Sequence, residues 1–181
     1  DSFKLLKRYR EFLKFCVCGL FYQAGIAVVI TLSAVYAQLV MKFTTAQTIT
    51  LILVVNITAA IGAFVFGYVQ DRLGHKKTLA LTILLWIIMG VMAAFSHGPV
   101  SFWIAANIAG IAMGSSQSAG RAVVAVFAPA GELAQFYSAW NVAVWGANVL
   151  GPITYGTVTW LTSGDQRTAI LVTTLFFVIG L

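Results

Sequence analysis

The sequence predicts an all-α membrane protein, a six-transmembrane-helix bundle. Hydrophobic residues make up 60% of the 181-residue chain and charged residues only 9%, whereas soluble domains carry about a quarter charged residues. The apolar runs approach or exceed the roughly 20 residues that a helix needs to cross the hydrocarbon core. They also lack the strict alternation of lipid-facing and lumen-facing residues in a membrane strand. Helices rather than a barrel therefore satisfy the backbone.

Six apolar segments follow one another, separated by short polar turns. They are residues 13–40, 48–70, 78–95, 102–120, 136–161 and 168–181. The last segment would rise only about 21 Å at 1.5 Å per residue, which is too short to cross. We therefore expect the final helix to be truncated and the chain to be part of something larger.

The segment ahead of the first span is basic and predicts a cytoplasmic linker. The cations in and just after it are Lys4, Lys7, Arg8, Arg10 and Lys14. The chain opens on Asp1, and the first span is too long for a signal peptide and lacks a small-residue cleavage site. We therefore assign residues 1–12 to a cytoplasmic basic linker and residues 13–181 to the transmembrane domain.

Basic residues fall almost entirely on one side of the membrane if the six helices alternate in direction. One side receives the five cations of the N-terminal region together with Arg72, Lys76, Lys77 and Arg121, and the other receives only Lys42 and Arg167. Lys and Arg near helix ends collect on the cytoplasmic face, so the N-terminus is predicted to be cytoplasmic. The net charge of +6 then reflects topology and contact with membrane lipid. No nucleic-acid partner is expected.

A polar turn between the second and third spans concentrates charge in a chain otherwise nearly free of it. It reads Gly67-Tyr68-Val69-Gln70-Asp71-Arg72-Leu73-Gly74-His75-Lys76-Lys77. Gly67 is expected to end the second helix, and Gly74 to allow a tight reversal. Asp71 is placed to accept hydrogen bonds from helix N-terminal amides or to pair with a guanidinium. The arginine and the two lysines would anchor the third helix at the headgroups, and an ordinary cytoplasmic turn is the alternative interpretation.

The spacing of this turn resembles the signature of the major facilitator superfamily. The matching residues are Gly67, Asp71, Arg72, Gly74, Lys76 and Lys77, and the departure is His75, where arginine is common. In that superfamily the signature lies in the cytoplasmic loop between the second and third helices of each six-helix half. The resemblance therefore implies the C-terminal half of a twelve-helix carrier. It also implies, as partner, a missing N-terminal half or a second copy of this chain.

A later segment resembles one branch of the superfamily, the vacuole effluxers. It comprises Ser115-Ser116-Gln117-Ser118-Ala119-Gly120-Arg121, then Pro129-Ala130-Gly131-Glu132, Phe136-Tyr137, Asn141 and Gly151-Pro152. That branch includes bacterial permeases and fungal vacuolar amino-acid exporters. The resemblance implies a secondary active or facilitative transporter that moves a small polar solute by alternating access, with amino acids as the first candidate. It also implies a multi-pass protein of the bacterial inner membrane.

Polar side chains within the spans are candidates for a solute path, because polar groups in a bilayer usually face the bundle interior or a water-filled cavity. The candidates are Tyr22, Gln23, Asn107, Gln117 and Asn141. Asn107 and Gln117 share a narrow stripe with glycines, which indicates either a cavity wall or close helix packing. Gln23 is favoured over Tyr22, since an unpaired amide in lipid costs more than a phenol. Tyr36, near the outer end, is expected to be an interfacial anchor.

Charged groups at the cytoplasmic helix ends form a candidate gate. In the superfamily, acids and arginines at these ends form a network with the signature loop. The resemblance implies that Arg121 and Glu132 join Asp71 and Arg72 in such a network and stabilise one conformational state. Arg121 could instead reach the membrane interface or contact an anionic group of the solute.

Two helices carry further packing signals. Ala59, Ala63 and Gly67 recur every four residues in the second span, which predicts a surface for close helix packing. In the fifth span the dipeptide at residues 151–152 predicts a bend, either a static kink or a hinge. One side of that helix carries Asn141, Trp145, Asn148 and Pro152.

The sequence predicts no catalytic site, no metal site and no cofactor. All five acids, Asp1, Glu11, Asp71, Glu132 and Asp165, fall at or outside the predicted membrane boundaries. Coupling to protons or cations generally needs a titratable group along the path, so we expect any coupling site to lie elsewhere. Cys16 and Cys18 lie on different helix faces, which favours neither a disulfide nor a metal pair. An enzyme is not expected, and the alternative to a carrier is a non-transporting scaffold or binding module.

Overall fold

The computed structural model describes the backbone from residue 2 and the side chains from Tyr9 onward. The described chain forms α1 Ser2–Leu39, α2 Thr45–Leu73, α3 His75–Phe95, α4 Pro99–Phe127, α5 Leu133–Leu161 and α6 Gln166–Gly180. These helices follow the six predicted segments in order, so the predicted all-α fold is confirmed. The side chains of Lys4, Lys7 and Arg8 lie outside the described residues.

The first helix begins well ahead of the apolar segment that predicted it. α1 starts at Ser2 and runs without a break to Leu39. Most of the segment assigned to the linker, residues 2–12, is therefore about three turns of the same helix. Whatever precedes this domain would join it through a helix that continues into the membrane-spanning part.

The turn between α2 and α3 differs from the prediction at Gly67. α2 continues to Leu73, where the backbone N–H of Gly74 donates to the Gln70 carbonyl at 2.9 Å and Gly74 takes a φ of 82°. That φ favours glycine. Gly67 lies inside the helix, so the expectation that it ends α2 is wrong. One interior glycine costs only about 1 kcal/mol relative to alanine, and the good helix formers Gln70, Arg72 and Leu73 are among the residues that follow it.

The helices pack as two groups, α2–α4 and α1 with α5 and α6, which are joined through α3 and α6. α4 lies along both α2 and α3, α1 lies along α5 and α6, and α3 packs against α6. α1 and α4 contact each other much less. The middle of α1, residues 22–28, is buried at every position. A helix buried on all its faces is surrounded by protein, so this part of α1 forms the interior of its group.

α2 and α4 approach each other backbone to backbone. A Cβ added at Gly114 would lie 1.9 Å from the Ala59 carbonyl oxygen and 3.1 Å from the Ala63 nitrogen. A Cβ at Gly62 would lie 2.5 Å from the Ile111 carbonyl oxygen. The predicted close-packing surface is therefore confirmed at Ala59 and Ala63. It does not extend to Gly67, where an added Cβ would meet nothing within 4 Å.

The end of the bundle opposite the α2–α3 turn is held by side chains that donate hydrogen bonds to carbonyls at the end of α3. Tyr36 is only 1% exposed and its hydroxyl donates to the Ala93 carbonyl at 2.9 Å. The expectation that Tyr36 anchors the protein in the interface is therefore wrong. The same carbonyl also accepts the N–H and the hydroxyl of Ser96 at the end of α3, so the Tyr36 ring is buried with its polar group paired.

Arg167, next to the N-terminus of α6, makes the second such contact and gives a testable prediction. Its guanidinium donates to the carbonyls of Ala94 at 2.9 Å and Ser96 at 2.7 Å. We expect Arg167→Ala to lower the free energy of unfolding by about 1.5–3 kcal/mol, the range for hydrogen bonds from a charged donor. Thermal unfolding in detergent measures this effect. The control is Lys42→Gln, at an exposed outer cation, and equal midpoints for the two variants would contradict the prediction.

Length and mean hydropathy select three helices as membrane spans. They are Tyr9–Leu39, Thr45–Leu73 and His75–Phe95, whose apolar 18-residue stretches have mean hydropathies of 2.1, 2.4 and 2.3. α4 and α5 have 29 residues each, as many as α2, so length does not set them apart. Amide and hydroxyl side chains lie along both of them. Polar groups at membrane depth are typical of helices that face a cavity or another helix.

Candidate solute path and cytoplasmic gate

Two candidate residues for the solute path meet at the seam between α1 and α4. The Gln117 amide nitrogen donates to the Gln23 amide oxygen at 3.3 Å. Gln23 is 4% exposed and Gln117 is half-buried. Because α1 and α4 contact each other little elsewhere, this amide pair is a specific polar link between the two helix groups.

Tyr22 lies beside this link and faces α4. It is 1% exposed, and its hydroxyl makes no hydrogen bond of normal geometry within the described residues. A Cβ added at Gly120 would lie 2.9 Å from that hydroxyl. A buried hydroxyl without a partner costs free energy, so separation of α1 from α4 would let water or solute satisfy this group. In this conformation Tyr22 and Gln23 are covered rather than open.

The other two amide candidates differ from each other. Asn107 on α4 is half-buried, and its amide donates to the Trp103 carbonyl of its own helix at 2.8 Å. Asn141 on α5 is exposed. The hydrogen-bonding capacity of Asn107 is thus partly met locally, whereas the position of Asn141 leaves its amide open to a partner.

The residues of the predicted gate lie at one end of the bundle but are not joined by ion pairs among the described side chains. Asp71, Arg72, Lys76, Lys77 and Arg121 are all exposed. Gly74 supplies the turn between α2 and α3. Within the described part of the chain, the ion pair is that of Lys14 with Glu11, at 2.9 Å.

Glu132, the acid of the α4–α5 loop, contacts α1. The hydroxyl of Tyr9 donates to its carboxylate. The predicted association of Glu132 with the signature loop is therefore absent from this conformation, within the described residues. Tyr9 is the hydrogen-bond donor to this carboxylate instead. It reaches Glu132 because α1 begins ahead of the apolar segment, so that its N-terminal turns lie alongside the start of α5.

An aromatic cluster at this end, which was not predicted from the sequence, links α1, α4 and the signature loop. The Phe127 ring lies 5.9 Å from the rings of both Phe12 and Phe15, and Lys76 places its ammonium 5.5 Å from the same ring. Aromatic residues at Tyr9, Phe12 and Phe15 recur every three residues, a spacing that puts them near one face of a helix. This three-residue spacing could have predicted that the N-terminal segment is a helix that packs against the bundle.

Comparison with known proteins identifies the family. The family described as vacuole effluxer Atg22 like matches residues 1–181. The chain belongs to this family. Its six helices form one half of a major facilitator fold, as the resemblance of the signature loop implied.

Individual relatives agree with this assignment. An uncharacterized MFS-type transporter, YxiO, of Bacillus subtilis is 26% identical over 181 residues, which is 100% of this chain and 42% of the relative. A putative metabolite transport protein of Haemophilus influenzae is 33% identical over 133 residues, covering 71% of this chain and 32% of the relative. Autophagy-related protein 22 of Vanderwaltozyma polyspora is 25% identical over 172 residues, covering 88% of this chain and 33% of the relative.

A solved structure shows the same fold. The xylose transporter XylE from E. coli, in an inward-open conformation, matches with a TM-score of 0.78 at 18% identity, covering 96% of this chain and 46% of that protein. The chain thus spans less than half the length of the proteins it matches. The family and these relatives point to an integral membrane transporter rather than an enzyme.

Proposed function

We propose that the full protein is a secondary active or facilitative transporter that moves a small polar solute, with amino acids as the first candidate. The observation that carries the proposal is the family match over the whole chain. This chain would supply one six-helix half, and an N-terminal half or a second copy would supply the opposite wall. Rocking of the two halves about a central site would give alternating access.

The proposed orientation places the signature loop and the N-terminus of this chain in the cytoplasm, at the bacterial inner membrane. Cations near helix ends support it, because Lys and Arg collect on the cytoplasmic face. The exposed loop cations, such as Lys77, would contact anionic lipid there. Asp71, Arg72, Arg121 and Glu132 would act as the cytoplasmic gate, with contacts that form when the two halves close.

The amide seam between α1 and α4 gives a kinetic prediction. If a solute replaces the hydrogen bond between Gln23 and Gln117, Gln117→Ala removes one partner for that solute. We expect the half-saturation concentration to rise about two- to tenfold, the equivalent of one net hydrogen bond of roughly 0.5–1.5 kcal/mol. Uptake of a radiolabelled amino acid into proteoliposomes measures it.

The matched control for this prediction is Asn107→Ala. Asn107 lies on the same helix, but its amide is bonded to its own backbone, so its removal should change the half-saturation concentration less. A larger effect of Asn107→Ala than of Gln117→Ala would contradict the assignment of the seam to the solute path.

Transport itself is tested with the full protein. Reconstituted protein should take up a small polar solute against an empty-liposome control, and the same solute should raise its thermal midpoint in detergent. A non-transporting scaffold predicts neither result. The absence of both uptake and solute-dependent stabilisation across amino acids would count against the proposed function.

A further inference from the structure

The exposed surface of α5 has two chemically different edges. Asn141, Trp145 and Asn148 are spaced by four and three residues, so they lie within an arc of about 60° on the helix. All three are exposed, Trp145 at 69%. The neighbouring arc carries the exposed aliphatic residues Val142 and Val149. The aliphatic edge suits contact with lipid, whereas the amide-bearing edge does not.

The two amides of this edge are free of local partners, unlike other amides of the spans. Asn56 and Asn107 donate to carbonyls one turn back in their own helices, each at 2.8 Å. Asn141 and Asn148 make no hydrogen bond within the described residues. Unbonded amides at membrane depth are costly in lipid, so this edge of α5 must face water, solute or protein.

A second polar group lies at the same place. Pro152 is inside α5 and has no N–H, so it cannot donate to the backbone carbonyl of Asn148 four residues earlier. The Asn148 carbonyl therefore lacks its usual helical donor, beside two unbonded amide side chains. Together these groups offer donors and acceptors along the exposed indole of Trp145.

We propose that Asn141, Trp145 and Asn148 form a solute-contacting edge, named here the amide edge, that selects an uncharged group. The inference rests on the proposed transport function. An indole face packs on apolar or polarised C–H surface, while amides and a free carbonyl hydrogen-bond to neutral polar groups. No ionised side chain lies on α5 between Glu132 and Asp165. A charge on the contacting part of the solute would be desolvated there without a counter-ion, which is unfavourable.

The test compares solutes that differ only in charge or that lack ionic groups. Thermal unfolding of the full protein in detergent is followed with L-glutamine and L-glutamate, which are nearly isosteric, and with L-lysine and D-xylose. We expect L-glutamine or D-xylose to raise the midpoint and L-glutamate and L-lysine not to do so. A response to L-glutamine alone would indicate that the site also requires the amino and carboxylate groups of an amino acid. A response to D-xylose alone would indicate that the solute is a polyol.

Substitutions then assign the effect to the amide edge. Trp145→Leu and Asn148→Ala should abolish the rise in midpoint. The matched controls are Trp160→Leu, at an even more exposed tryptophan of the same helix, and Asn56→Ala, at an exposed asparagine of α2; both should keep the rise. Asn148→Asp should lose the response to L-glutamine and gain one to L-lysine, a reversal that a packing role would not produce.

Several results would overturn the inference. Equal stabilisation by L-glutamine and L-glutamate, no response to either neutral probe, or a full response in Trp145→Leu would each do so. A lowered midpoint without solute, with the solute response retained, would show that the edge packs against the other half. Uptake by proteoliposomes distinguishes a failure of the amide-edge inference from a failure of the proposed transport function. Uptake that survives every amide-edge substitution contradicts only the inference. Lack of uptake by the wild type defeats the transport function.

Discussion

Replacing Gly114 by leucine is expected to force α2 away from α4 and to keep the folded protein from accumulating in the membrane. The reason is that the backbones of α2 and α4 are in direct contact at Gly114. An added Cβ would lie 1.9 Å from the Ala59 carbonyl oxygen and 2.7 Å from its carbon. Backbone atoms cannot rotate aside as a flexible side chain can, so the two helices must separate along their length.

Even Gly114→Ala should be strongly destabilising. Overpacking a tight core usually costs about 1–3 kcal/mol, and a clash with backbone on the facing helix belongs at or beyond the upper end of that range. The loss would include the neighbouring contacts of Gly62 with Ile111 and of Gly110 with Val55, because the same seam holds them. In the membrane, close packing rather than hydrophobic exclusion is a main driving force of helix association, so the loss of this surface would be felt in full.

The control uses another glycine inside a helix of the same length. Gly156 in α5 has nothing within 4 Å of an added Cβ, so Gly156→Ala should be neutral or slightly stabilising because alanine is the better helix former. Abundance in membranes and the thermal midpoint of purified protein measure both variants. Similar midpoints for Gly114→Ala and Gly156→Ala would show that the α2–α4 seam is looser than described.

The sequence predicted what depends on composition and local spacing. The hydropathy of each segment located all six helices, and the four-residue recurrence of Ala59 and Ala63 located the surface that Gly114 meets. The tight reversal at Gly74 followed from its place between a helix end and a run of cations. These features are local because helix length and side-chain facing are set by the chain's own periodicity.

Long-range pairing was beyond the sequence. The expectation that Tyr36 anchors in the interface failed because a distant segment, the end of α3, decides the outcome. The Ala93 carbonyl takes the hydroxyl of Tyr36, whereas the failure at Gly67 was local, because α2 tolerates one interior glycine and ends at Gly74 instead. Gln23 and Gln117 were both named as candidates, yet their hydrogen bond crosses 94 positions of sequence. No local sequence pattern predicts that α1 and α4 bring these two amides to the same height in the bundle.

Asp71→Asn is expected to reduce transport at least about tenfold, a loss of roughly 1.4 kcal/mol of differential stabilisation, while leaving membrane insertion intact. Asp71 is exposed in the last turn of α2 and has no hydrogen bond or ion pair with any described side chain. A carboxylate near a helix C-terminus is electrostatically unfavourable. Among the described residues, this half therefore supplies no hydrogen bond or ion pair that would explain an acid at this position.

A group that its own half does not stabilise is best explained by a partner that arrives in another conformational state. We expect that partner to be a helix N-terminus or a cation of the opposite half, which approaches when the cytoplasmic side closes. Asparagine keeps the shape and removes the charge, so it should weaken that closed state and shift the protein toward the open one. Cysteine accessibility at the cytoplasmic ends, measured in the full protein, should rise in parallel with the loss of uptake.

Glu11→Gln is the matched control, since Glu11 is also an acid at this end of the bundle but already has Lys14 as its partner at 2.9 Å. It should leave uptake and accessibility near the wild-type values, because an exposed pair of this kind contributes little. Full uptake by Asp71→Asn would remove Asp71 from the gate. A fall in uptake without any change in accessibility would place its effect in a step other than closure, and the cytoplasmic network would then need a different acid, of which Glu132 is the remaining candidate.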